Sequence, residues 1–154
     1  MKKIKKIVKY LVSIVIVLIL TSPFLLIPAI NNMIIWRMEN NLKNIPLPDE
    51  TSQIQTKGIV GKLNGNGNGV NYLATLVVES NQTLGDLERY YQSYNAQINI
   101  IKQSSYKFKS KLLEHGDLSY QKLKGTREFS NYFTIYSYEA AKNGSVLEWD
   151  FRGH

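Results

Sequence analysis

The sequence predicts an α+β protein: one amino-terminal transmembrane helix, then a small antiparallel sheet in β-β-α-β-β-β-like order, packed by one helix. Three observations carry this expectation. The stretch Leu11–Ile30, LVSIVIVLILTSPFLLIPAI, holds no charged residue and follows a lysine-rich tail. Two runs rich in apolar and β-branched residues flank the Asn-Gly repeat GKLNGNGNG at 61–69. A helical stripe of Leu84, Leu87, Tyr91 and Tyr94 is then followed by further strand-like runs. One helix closing an antiparallel sheet is the simplest arrangement that buries both kinds of pattern.

The tail, residues 1–9, carries Lys2, Lys3, Lys5, Lys6 and Lys9, and no acid precedes Glu39. The whole chain has 19 basic and 12 acidic residues and a formal charge of +7. Without the tail it is only about +2, so the basic balance reports a topology signal rather than a nucleic-acid surface. The apolar run that follows is long enough to cross a hydrocarbon core of about 30 Å as a helix, and it shows no polar face. Pro23 and Pro28 kink that helix or mark its end. A cleaved secretory signal has a shorter apolar region, about 7–15 residues, closed by a small-x-small site. Here the local candidate, IPA before Ile30, has Ile27 where a small residue is needed. Residues 10–30 therefore read as an uncleaved signal anchor embedded in the lipid bilayer, with secretion after cleavage as the alternative. The lysines place the amino terminus in the cytoplasm and the domain at 51–154 outside. Residues 31–50 read as a connector. Met33 to Trp36 either prolong the helix or lie in the interface, and Pro46 and Pro48 make a short extended spacer.

Each element of the domain has its own signal. Strands are expected near 52–63 and 70–80, because strand, Asn-Gly turn, strand is the strongest local hairpin pattern. Thr83-x-x-Asp86 is a capping box, and the stripe behind it predicts an amphipathic helix over 83–95. Gln97–Gln103 reads as a strand. Tyr106–Leu113, YKFKSKLL, alternates bulky and basic residues like an edge strand guarded by lysines. Asn131–Ala140 is a strong strand, with Phe133 and Ile135 on one face and Tyr132, Tyr136 and Tyr138 on the other. After a second Asn-Gly turn at 143–144, VLEWDF alternates as a final strand.

Chemistry-bearing motifs are few. No cysteine is present, which excludes disulfides, thiolate zinc sites, a thiol nucleophile and a lipidated cysteine. Asn64, Gly65, Asn66, Gly67, Asn68 and Gly69 form the best ligand-loop candidate, since successive amides in a Gly-rich loop can converge on an anion. A strand follows, however, where a phosphate loop feeds a helix, so a hairpin turn built from residues tolerant of positive φ is the simpler reading. His115, with Glu114 and Asp117, and His154, with Asp150, match no metal or acid–base spacing. No serine stands in a GxSxG or SxxK motif, so nothing in the sequence requires an enzyme, a metal or another cofactor. Lys107, Lys109 and Lys111, in a segment with Lys102, Lys122, Lys124 and Arg127 and interleaved Tyr106, Phe108 and Tyr120, fit either an anionic envelope polymer or a solvated edge.

The order of pieces is specific: lysine tail, apolar span, IPLPDE connector, GKLNGNGNG, LERYY in a helix, EHG, and terminal DFRGH. Together they resemble a group of small membrane-anchored or exported proteins of low-GC Gram-positive bacteria. The resemblance implies a location and an architecture, and no reaction. It also directs attention to the Asn-Gly loop and to Arg152 and His154. The sequence thus leads to a single-pass protein displaying a small binding or structural domain at the cell envelope. An envelope protein or anionic polymer is the expected partner, and nucleic acid is not. The alternatives are a small surface hydrolase or sugar-binding enzyme using the loop and His115, or an accessory subunit of a membrane complex.

Overall fold

The structure is a computed structural model that describes residues 2–65, 69–142 and 144–150. Its first element is a continuous helix, α1, Lys2–Lys43, about 63 Å long at 1.5 Å per residue. It is long and apolar enough to cross a membrane. Both prolines lie inside it without ending it. Pro23 cannot donate to the carbonyl of Ile19, and the Ser22 hydroxyl takes that carbonyl instead at 3.0 Å. Ser13 and Thr21 likewise donate to carbonyls one turn back, those of Lys9 and Val17. The hydroxyls of the apolar run thus have partners within the helix, as a segment without water requires.

Four strands follow: β1, Thr51–Gly61; β2, Asn71–Ser80; β3, Asn99–Lys102; and β4, Tyr132–Ala140. They form one antiparallel sheet in the order β1-β2-β4-β3. The second helix, α2, Leu84–Tyr94, begins at the expected capping box: Thr83 Oγ1 accepts from the Asp86 amide and donates to the Asp86 carboxylate at 2.5 Å. The α+β arrangement is therefore the one the sequence predicts. The central strand β2 is buried on both faces from Asn71 to Val78, which explains why its sequence is nearly uniformly apolar rather than alternating.

One sheet face carries Tyr72, Ala74, Leu76, Val78, Phe133 and Ile135, covered by α2 through Leu87 and Tyr91 and by the second half of α1 through Ile35, Met38 and Leu42. The change along α1 is abrupt. Leu25 is 74 % exposed, Ile27 is 6 % exposed, and Ile27, Asn31, Ile35, Met38 and Leu42 then repeat as one buried stripe. The segment expected to connect span and domain is thus helical to Lys43 and forms part of the core. Only Pro46–Pro48 lacks regular structure as expected, and Pro48 is buried. The opposite sheet face, with Leu73 and Val77, is covered by Phe108, Leu118, Tyr120 and Leu123 from the long crossing between β3 and β4.

Two expected strands are absent. Tyr106–Leu113 forms only an isolated bridge, Lys107 to Ser119. The second sheet face needs a cover, and this segment supplies it by turning Phe108 inward while Tyr106 stays partly exposed. Gln103 sets that path: its buried amide donates to the carbonyls of Ser105 and Lys107 and accepts from Thr134 at 2.7 Å. The final VLEWDF run instead forms a 3-10 turn, Val146–Trp149. This turn packs on α1, where the Asn31 side-chain amide holds the Leu147 carbonyl, instead of pairing with the sheet. Phe151 lies outside the described residues.

The closest approach between α1 and the sheet is at Gly58, opposite Ala74 across the β1–β2 ladder. A methyl group at Gly58 would come within 2.5 Å of Ile35 Cγ1. We therefore expect Gly58→Ala to cost about 1–3 kcal/mol, as overpacking does, read as a lower Tm of the full chain in detergent; an unchanged Tm would show that α1 does not seat there. Glu39 lies beside the same contact, and burial raises its carboxyl above the ordinary range while a hydrogen bond with the Gly58 backbone opposes that shift. The unfolded chain then loses this proton at lower pH than the folded one, so stability falls as pH rises past the ordinary Glu value. Glu39→Gln should melt above the parent at pH 7, and the difference should vanish below about pH 4.

Candidate functional site

The sheet brings together two of the motifs that stand far apart in sequence. The Asn-Gly loop joins β1 to β2, and the turn Glu114–Gly116 lies against its base. The Leu63 carbonyl accepts from the amides of Glu114 and His115, at 2.8 and 2.9 Å. The Glu114 carboxylate accepts from the Gly65 amide at 2.9 Å. The His115 ring, through Nε2, lies 3.2 Å from the Gly65 carbonyl oxygen. Asn64 accepts from the Tyr138 hydroxyl at 3.2 Å, which partly offsets the upward push of burial on that phenol. Asn71 closes the loop by accepting from the Leu63 amide at 3.3 Å. Gly65 has φ of +67°, the left-handed conformation that an Asn-Gly turn supplies at little cost.

In the described residues of the loop, the polar groups are taken up by the chain itself. The Gly65 amide, which an anion would need, already holds the chain's own carboxylate. His115 is exposed and faces a backbone carbonyl. Asn66, Gly67 and Asn68 lie outside the described residues, as do Arg152 and His154; Gly69 is half-buried, and a methyl group added there would meet Glu148 Oε1 at 3.8 Å, ordinary van der Waals contact.

The three lysines diverge. Lys107 pairs with Asp117 at 3.0 Å, and that hydrogen bond is the main cause of its raised pKa. Its ammonium also sits 6.0 Å from the centre of the Tyr106 ring. Lys109 and Lys111 are exposed. An exposed pair of this kind adds little to stability, so the segment's fold is held by Gln103 and Phe108 rather than by its charges.

A different concavity was not marked by any sequence motif. It opens between the end of α1, the end of α2 and β4, with a volume of about 440 Å³. Met38, Leu42 and Ile45 form its apolar wall, while Tyr94, Ser137 and Glu139 supply polar groups. Its floor is formed where Ser137 and Glu139 continue the face of Phe133 and Ile135 between the ends of the two helices. The signal in the sequence is that change from apolar to polar along one face of β4, which becomes visible only once α1 is known to lie over the sheet.

If the loop is closed by its own carboxylate, inorganic phosphate should leave the Tm of the full chain unchanged. Glu114→Ala should lower stability by about 1 kcal/mol through loss of the brace. A phosphate-dependent rise in the parent would instead identify an anion site. No family model, no curated protein and no solved structure matches this chain.

Proposed function

We propose that this chain is a single-pass, membrane-anchored protein that holds a small α+β binding or structural domain at the outer face of the cell envelope. One observation carries the proposal: from Tyr10 to Leu26 α1 carries no charge and is exposed except at half-buried Ser22, and the same unbroken helix then becomes a core element of the domain. A soluble protein gains nothing from a lipid-like surface of this length, whereas a bilayer buries it. The lysine tail favours a cytoplasmic amino terminus, leaving the domain outside. The burial of Asn31, Ile35, Met38 and Leu42 supports a retained anchor. A cut after Ala29 would sever the helix within its docked stripe, removing Ile27 from the core.

The display role rests on what the domain offers. The described parts of the histidine and Asn-Gly motifs are engaged in bracing loops, while the cleft beside α2 combines an apolar wall with a polar rim, as ligand sites do. Recognition of an envelope protein or polymer, rather than catalysis, fits that inventory.

The test is topology. With a tag at the carboxyl terminus, the full-length protein should stay with the membrane, and protease added to intact protoplasts should remove the tag. A tag released into the medium would mean cleavage and secretion; a protected tag would place the domain in the cytoplasm. Either result would overturn the proposal.

A further inference from the structure

The domain is not carried above the end of the apolar run; it begins within it. Ile27 is buried although it lies three residues before the end of the apolar run Leu11–Ile30. At Asn31, one residue past that stretch, the side-chain amide donates to the Leu147 carbonyl at 3.1 Å and to Asp150 at 2.7 Å, and its oxygen accepts from the Tyr72 hydroxyl at 2.7 Å. Asn31 has no exposed surface. The 3-10 turn Val146–Trp149 therefore packs on α1 at the level where the helix leaves its apolar segment.

That level can be placed. The polar layer on each side of a bilayer is about 5–8 Å thick, outside a core of about 30 Å. Seating Leu11–Ile30 in the core puts Asn31 at its edge. Seating the exposed stretch Ile7–Leu26 there instead raises Asn31 by about 6 Å, still within the polar layer. In either seating the 3-10 turn meets the headgroups.

Resting on the membrane-anchored reading, we propose that the end of the domain formed by Val146–Trp149 and Lys142 is a second membrane contact, inserted in the headgroup layer of the bilayer that α1 spans. Its surface suits that occupant. Val146 is 60 % exposed, an unusual position for a large apolar side chain in a short turn. Lys142 is exposed beside it and Lys62 is half-exposed in the neighbouring loop. The two nearest carboxylates are each held by a loop amide, Glu148 by Gly144 at 2.9 Å and Glu114 by Gly65. An apolar tip flanked by lysines, with its nearest acids engaged by backbone amides, matches an interface of anionic headgroups over acyl chains.

The natural chain has no cysteine, so single cysteines give clean probes. Leu18→Cys in the apolar run, Val146→Cys at the turn, and Ser52→Cys at the far end of β1 would each carry an environment-sensitive fluorophore in the full chain. The proteins would be reconstituted in vesicles of phosphatidylglycerol and phosphatidylcholine containing lipids with nitroxide quenchers at headgroup or deep acyl positions. We expect Leu18 to be quenched by the deep nitroxide and Val146 by the headgroup nitroxide, several-fold more than Ser52. Quenching at Leu18 with Val146 no different from Ser52 would overturn the second contact and leave the anchor standing. No quenching at Leu18 would overturn the anchored reading and this inference together. Retained helix and sheet signals in circular dichroism would show that each labelled protein is folded.

Discussion

The seat of α1 on the sheet is the constraint on which the rest of the structure depends. The helix lies close to the sheet only because Gly58 and Ala74 face it from adjacent strands with almost no side chain between them. That approach lets Ile35, Met38 and Leu42 complete the core that α2 alone leaves open. Its lower end is fixed by a buried polar cluster, Asn31, Tyr72 and Asp150, which joins the helix, the central strand and the carboxyl-terminal turn. Such a cluster costs desolvation, and its hydrogen bonds specify one register of helix on sheet where apolar contacts would permit several.

The two faces of the sheet are closed by different means. Two helices cover one face, and an irregular crossing of about thirty residues covers the other. A long stretch with little regular structure is costly unless its backbone is satisfied and its ends are tied. Here the Gln103 amide, the Phe108–Leu118 backbone bond and the Leu63 carbonyl do this, and the last of these also braces the Asn-Gly loop. The loop and the Glu114–Gly116 turn are therefore two parts of one closure, which accounts for two conspicuous motifs without assigning them a reaction.

Much of the fold was legible because its signals are local. The Thr83–Asp86 cap, the Leu87–Tyr91 stripe, the Asn-Gly hairpin and the opposed faces of Phe133 and Tyr136 each declare themselves within a few residues. The misreadings arose where tertiary demand overrides local pattern. YKFKSKLL alternates as a strand does, yet it packs as a cover because the face above Leu73 and Val77 lies open. VLEWDF alternates as well, but its Leu147 carbonyl is held by Asn31 of α1 instead of by a strand. The spacing of Ile27, Asn31, Ile35, Met38 and Leu42 was visible in the sequence; the continuous apolar surroundings and the prolines on either side obscured it. The cleft over Ser137 and Glu139 had no local signal at all, since its walls come from three separate segments.

The unbroken passage of α1 from apolar run to core has a mechanical consequence. A helix whose hydrophobic length differs from the bilayer ordinarily relieves the mismatch by tilting, at a modest cost for each ångström. In a chain anchored as proposed, no hinge separates the tilting rod from the folded body, so any tilt rotates the whole domain. A membrane contact at the base of the domain would resist that rotation. Changes in bilayer thickness would then be borne as bending at Pro23 and Pro28, where the helix has fewer backbone bonds to lose.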